Sequence, residues 1–323
     1  MRAIGLSLLI SLLLMGAKFY TYHLTCSSAV LSDALESIIN VVAAAFAVVS
    51  VWLAAQPPDA DHPYGHGKIE YFSAGFEGAL IIFAAIGIFK TGIDRILVPQ
   101  PIANVDFGLA ILVAASTVNL LLGLGLIRVG HRTRSMTLIA DGQHVLTDVY
   151  TSVGVVLGLF LVKWTDWFWL DGVIACLVGA NILLTGTRLV RHSFAALMDA
   201  SDTELLDDIS ALLEKSRKPH WIDVHQLRAW RSGNFVHIDL HLVLPRNYLL
   251  SAAHAEAKAL EQLLIDHFDG NAGVLVHLDP CRDGECEICR QHDCRVRKAL
   301  VTRSGPWDRH STTADKTGTS AQR

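Results

Sequence analysis

Over the first 192 residues, long apolar runs alternate with short polar connectors. The runs are Ile4–Tyr22, Ala29–Ala54, Phe72–Phe89, Val105–Ile127, Leu138–Val162 and Leu170–Leu189. Each comes near the roughly 20 residues that a helix needs to cross a bilayer, so the pattern predicts six transmembrane helices. No small-residue cleavage site follows the first run, and five further spans do, so it reads as a retained helix rather than a secretory signal.

After Arg191 the apolar periods shorten. Asp202–Ser216 reads as a helix with Leu205, Ile209 and Leu212 on one face and Ser201 or Asp202 near its cap. Ile222–Trp230 and Phe235–Leu244 read as a hairpin turning at Ser232-Gly233-Asn234. Leu249–His267 is a second helix and Val274–Leu278 a last strand. On Phe235–Leu244, Val236, Ile238, Leu240 and Leu242 share the core face, while His237, Asp239 and His241 share the other. His277 and Asp279 share a face of the last strand. The expected fold class is an all-α six-helix transmembrane domain plus an α+β cytoplasmic domain of order αββαβ, its helices on one face of a small sheet. The boundaries follow as residues 1–192, 193–280 and a cysteine-containing tail, 281–323. Beyond Trp307 the chain is rich in Ser, Thr, Gly, Asp and Lys, and disorder is expected there.

Composition agrees with a membrane portion joined to a soluble one: 51% of the 323 residues are hydrophobic and only 18% charged. The net charge of -4 includes no basic block that would suggest nucleic acid. The short loops carry Arg2, Lys68, Arg128, Arg132, Arg134, Arg188 and Arg191 on one side of the membrane and Lys18, Lys90, Arg95 and Lys163 on the other. The richer side is expected to be cytoplasmic, which puts both termini in the cytoplasm. Trp164, Trp167 and Trp169 fit an aromatic belt at the outer surface. The short loops favour a bacterial inner membrane.

Candidate chemistry sits inside two apolar runs. In Asp141-Gly-Gln-His144-Val-Leu-Thr-Asp148, His144 and Asp148 project from one helix face at i, i+4 spacing. Glu36 and Asn40 repeat that spacing in the second run. Ionisable residues at membrane depth are costly and point to function. One imidazole, two carboxylates and one amide oxygen suit a divalent cation, and protons compete for the same atoms. The bland alternative is that each pair only hydrogen-bonds within the bundle. In the loop before the third run, Asp59, His62 and His66 read equally as a metal site or as a solvated turn. Cys281-x4-Cys286-x2-Cys289-x4-Cys294 reads either as thiolate metal ligands or as a reduced, flexible tail.

Leu31-Ser-Asp-Ala-Leu-Glu-Ser37, Asp61-His-Pro-Tyr-Gly-His-Gly-Lys68 and the Asp141–Asp148 segment together resemble the cation diffusion facilitators. The resemblance runs from Met1 to about Pro280. It implies a homodimeric six-helix exporter that exchanges Zn²⁺ or a related divalent metal for protons, with a metallochaperone-like cytoplasmic domain. It implies a transport site at Glu36, Asn40, His144 and Asp148 and a loop site at Asp59, His62 and His66. A regulatory site is implied at His225, His241, His254, His277 and Asp279, leaving His237 and His267 as surface histidines. Lys68 and Asp199 are implied as a charge pair near the dimer hinge; the bland reading is two unrelated surface charges. One departure stands out: the family commonly has Asp or His followed four residues later by Asp where this chain has Glu36 and Asn40. One carboxylate fewer lowers the site's charge and leaves Fe²⁺, Co²⁺, Ni²⁺, Mn²⁺ and Cd²⁺ open beside Zn²⁺. The expected function is proton-coupled metal efflux by a secondary transporter, not an enzyme. The alternatives are a membrane-anchored metal sensor without transport, and a carrier or channel whose intramembrane polar residues are structural.

Overall fold

The structure, a computed structural model, describes residues 2–25, 28–98, 106–165, 167, 169–291, 294–302 and 305–315. Two compact units divide the chain, Met1–Met198 and Asp199–Arg323.

The first unit is six long helices: α1 (Arg2–Thr25), α2 (Ser28–Ala54), α3 (Ile69–Leu97), α4 (Asp106–Thr133), α5 (Met136–Thr165) and α6 (Trp169–Leu197). Among the described residues, Ala3–Tyr20, Ile69–Asp94, Ala114–Thr133 and Gly172–Leu197 are long and apolar enough to cross a membrane, and α2 adds a shorter apolar stretch, Asn40–Ala54. The helices are turned inside out relative to a water-soluble bundle. Leu13, Phe83, Leu121 and Leu184 face outward, while Ser7, Ser50, Ser73, Glu77, Asp141 and Ser193 are buried. Lipid solvates the apolar outside, so helix association rests on close packing and polar contacts inside. Glycine supplies the close packing. A Cβ on Gly172 of α6 would stand 2.5 Å from the Gly92 carbonyl of α3, and one on Gly142 of α5 would stand 2.9 Å from the Gly123 carbonyl of α4. Trp167 and Trp169 are exposed and stacked on each other; the Trp164 side chain lies outside the described residues.

The second unit opens with α7 (Thr203–Lys215), capped by the Asp202 carboxylate, which accepts from the Glu204 and Leu205 N–H groups. β1 (Asp223–Ser232), β2 (Phe235–Leu244) and β3 (Ala272–Pro280) form a sheet in that order, β1 antiparallel and β3 parallel to β2. The parallel pair requires a crossover, which α8 (Leu250–His267) provides. Leu205, Ile209 and Leu213 of α7 and Leu260 and Leu264 of α8 cover Val236, Ile238, Leu240 and Leu242 of β2. The hairpin turns through Gly233 at φ 61, a left-handed conformation that glycine adopts without steric cost.

β1 carries a bulge. Its register to β2 slips between His225 and Arg228, and Gln226 takes a left-handed φ of 49. The core face therefore passes from Val224 to Leu227 and Ala229, leaving His225 on the opposite face.

Two expectations are corrected. His237 is not a surface residue: it is only 8% exposed. It lies on the central strand opposite Trp230, stacks on that ring at 5.1 Å, and meets the edge of Phe235. Nor does order end at Trp307. Its ring is buried in the core under the Arg217 guanidinium, and its backbone N–H donates to Glu214 Oε2. A short helix, α9 (Arg309–Thr313), is capped by Asp308 and tied to α7 by Arg309–Asp207 and Ser210–Thr312. Gln226 at the bulge donates its N–H to the Ala314 carbonyl, so the chain after α9 covers β1. His267 is one-third exposed and pairs with Asp208 at 2.9 Å.

Candidate metal centres

The first centre lies where α2 meets α5. The Asn40 side chain bridges the two α5 residues: its Nδ2 donates to Asp148 Oδ2 at 2.8 Å, and His144 Nε2 lies 3.1 Å from its Oδ1. The amide orientation follows from charge, because a carboxylate needs a donor and the amide oxygen can only accept. His144 Nε2 therefore carries the proton in this arrangement. His144 is buried and Asp148 half-buried. The spacing of four residues sets both on the α5 face turned to α2. Glu36 lies on α2, one turn before Asn40, and its side chain falls outside the described residues, as does that of Asp33.

Further carboxylates are buried on α5 and α3. Asp141 sits one turn before His144 and is almost fully enclosed. Glu77 on α3 is fully buried, and among the described residues neither of its carboxylate oxygens has a hydrogen-bond partner. Glu70 accepts from the Ser135 hydroxyl and, at 3.4 Å, from the Thr137 N–H. Glu70 stands before the apolar run Phe72–Phe89, and the hydropathy pattern does not single it out.

The second centre is a tight loop. Asp59 Oδ1 accepts from the backbone N–H groups of Asp61 at 3.0 Å and His62 at 2.6 Å, closing the turn. The same carboxylate meets His62 Nδ1 and His66 Nε2, each at 3.3 Å, and ligand atoms of all three residues fall within 4.8 Å of one another. The His62 N–H holds the Asp59 carboxyl below its ordinary range. The three side chains present one carboxylate and two imidazoles to a single point, a donor set suited to a divalent ion.

The third centre is a histidine ladder across the sheet. His225, His241 and His277 are register partners on β1, β2 and β3. Asp279 reaches all three, at 2.8 Å to His241 Nδ1, 3.5 Å to His225 Nε2 and 3.6 Å to His277 Nε2. Ligand atoms of His225, His241 and Asp279 lie within 4.8 Å of one another. His254 is exposed on α8 and stands outside this cluster. Asp223, missed in the sequence, lies 3.9 Å from His225 Nδ1. Its signal was available: it precedes His225 by two residues and shares its strand face. Burial, reinforced by Asp223 and Asp279, pushes the Glu285 carboxyl up beside this cluster.

Lys68 immediately precedes α3, and Asp199 follows α6 in a left-handed conformation at φ 56. They fall in different units, Lys68 in the first and Asp199 at the start of the second. The tail cysteines Cys281, Cys286, Cys289 and Cys294 are free thiols.

Known proteins share this plan. Residues 4–198 match the family model for the cation efflux transmembrane domain, and residues 201–281 match that for the cation efflux cytoplasmic domain. An uncharacterised transporter of Synechocystis is 39% identical over 280 residues, covering 86% of this chain and 89% of that protein. The cation-efflux pump FieF of Shewanella oneidensis is 33% identical, covering 77% of this chain and 81% of its own. FieF of Cronobacter sakazakii is 29% identical, covering 87% and 92%. The chain belongs to the cation efflux family, the cation diffusion facilitators, and is a multi-pass membrane transporter of cations rather than an enzyme.

Proposed function

We propose that this protein exports a divalent metal, Zn²⁺ first among the candidates, in exchange for protons, through a site formed by Glu36, Asn40, His144 and Asp148. The observation that carries this reading is the bonded cluster of Asn40, His144 and Asp148 between two membrane helices. In that cluster the Nε2 lone pair is masked by a proton and Asp148 is satisfied by an amide. A metal ion takes Nε2 once its proton has moved to Nδ1 or left, and takes the carboxylate in place of the amide N–H. Protons are released on binding to the extent that the site starts as an imidazolium or a protonated Asp148 carboxyl, and reprotonation of those groups from the far side releases metal. Fe²⁺, Co²⁺, Ni²⁺, Mn²⁺ and Cd²⁺ remain within reach of this mixed nitrogen and oxygen set. The FieF relatives carry the name cation-efflux pump, which accords with export.

The loop residues Asp59, His62 and His66 form a second metal site in this reading. The cytoplasmic residues His225, His241, His254, His277 and Asp279 form a regulatory one, completed in a homodimer. The termini face the cytoplasm of a bacterial inner membrane. A sensor without transport would have no use for a polar cluster buried between membrane helices. The experiment is ion uptake into proteoliposomes under an imposed pH gradient, across the panel of ions. Flux that follows the gradient and vanishes in Asp148→Ala supports export; flux that persists in the variant rejects the site.

A further inference from the structure

The transport reading leaves the tail cysteines unused, yet they are gathered. Cys281 follows β3, Cys286 lies in the turn Asp283–Glu287, and Cys289 and Cys294 come after it. All four line one small cavity of about 10 Å³, together with Arg246 and Arg297. Cys286 and Cys289 are only 7% and 4% exposed. Cys289 packs with Ile222 and Val243 at the end of the sheet, against Cys281. Four thiols enclosed around a space for a single small occupant are not a solvated tail.

The backbone around them is tied in place. The Arg297 guanidinium donates to the carbonyls of Cys286 and Cys289 at 3.1 Å and of Gln291 at 2.6 Å. The Lys298 N–H points at Cys286 Sγ at 3.5 Å. The Cys281 N–H donates to Leu244 O at 2.8 Å, fastening the start of the tail to β2. Amide N–H groups directed at sulfur and fixed ligand-bearing turns are the outer support that thiolate metal sites require. Among the described residues no three of these sulfurs lie mutually within 4.8 Å; rotation about the side-chain torsions of four separate cysteines is needed to draw them onto one ion.

We propose that Cys281, Cys286, Cys289 and Cys294 form a structural tetrathiolate site for one Zn²⁺, separate from the transport and histidine sites, that fastens the tail to the end of the sheet. Soft thiolates select Zn²⁺ over the oxygen-seeking divalent ions, and its tetrahedral shell takes four sulfurs. Each thiol gives up its proton to solvent on binding. Four thiolates and Zn²⁺ leave two negative charges, which Arg246 and Arg297 beside the cavity offset. The ion would hold the segment that leads to Trp307 and α9, the last anchors on the core.

The test uses the full-length protein in detergent, titrated with Co²⁺ and then Zn²⁺. Thiolate-to-cobalt charge-transfer absorption reports sulfur ligation alone, so the histidine and carboxylate sites are silent. One equivalent of that absorption is expected in the wild type and in Asp148→Ala, bleached by Zn²⁺ and lost in Cys286→Ser/Cys289→Ser. Alkylation read by mass spectrometry keeps the test open if that variant fails to fold. In the wild type, Zn²⁺ should protect the four tail cysteines and leave Cys176 labelling unchanged. Equal labelling with and without Zn²⁺, absence of the cobalt band in folded wild type, or an iron-containing cluster in the purified chain would overturn the proposal. None of these outcomes depends on whether the protein transports.

Discussion

The Asn40 amide donates to the Asp148 carboxylate at 2.8 Å across the α2–α5 boundary. At this position the chain carries a donor that satisfies Asp148 without titrating. Asn40→Asp should reverse that. Two facing carboxylates share a proton when no metal is bound, so one of them titrates at higher pH. Metal binding should then release about one more proton per ion and fall off at a higher pH. Proton release on Zn²⁺ addition, followed with an indicator in weak buffer, measures this. Unchanged release would remove Asn40 from the shell.

Asp59→Asn separates the turn from the metal site in the loop. Asparagine still accepts the Asp61 and His62 N–H bonds, so the turn persists. The charge facing His62 and His66 is lost, and Zn²⁺ binding at the loop should weaken. Because the wild-type carboxyl is held below its ordinary range, it is already ionised near neutral pH. Binding isotherms with the transport site removed by Asp148→Ala read the effect.

Trp307 anchors a tail whose composition suggests no structure. Trp307→Ala should cost the cytoplasmic unit about 3–5 kcal/mol, from lost burial and a cavity under Arg217. Hydrogen exchange should rise in α7 and β1 as well as in the tail. A rise confined to the tail would mean that Trp307 is not part of the core.

Glu256 on α8 accepts from Lys218 at 2.7 Å and Trp221 at 2.9 Å, with His220 at 3.0 Å. Burial alone would raise its carboxyl, but these donors outweigh it and bring it down to about 2. A depressed folded value adds stability above the unfolded value of about 4.3 and loses it as pH falls toward 2. After allowance for solvent screening, the contribution is about 1 kcal/mol. Glu256→Gln should lower the melting temperature of the cytoplasmic unit at pH 7 and leave it little changed near pH 2. An equal loss at both pH values would assign the effect to packing.

What was legible in the sequence followed local rules. Periods of four put His144 and Asp148 on one helix face, and alternation put His241 on the face opposite Leu240 and Leu242. What was hidden depended on partners distant in the chain. His237 alternates as an outward residue, but only the β1–β2 register reveals Trp230 opposite it. The bulge at Gln226 has no glycine to announce it. Trp307 stands among Ser, Thr and Asp, and a single aromatic in polar sequence does not disclose that a core waits for it. The unbonded burial of Glu77 appears only when α3 is seen enclosed by its neighbours.

The central claim is that metal and protons compete for the same atoms at His144 and Asp148, beside Asn40. Zn²⁺ flux and lumenal pH recorded together in the same proteoliposomes test it most directly. The account predicts that metal and protons move in opposite directions in a fixed ratio, with both movements abolished in Asp148→Ala and retained in Asp59→Asn. Zn²⁺ flux without proton movement, or flux that survives in Asp148→Ala, would contradict it.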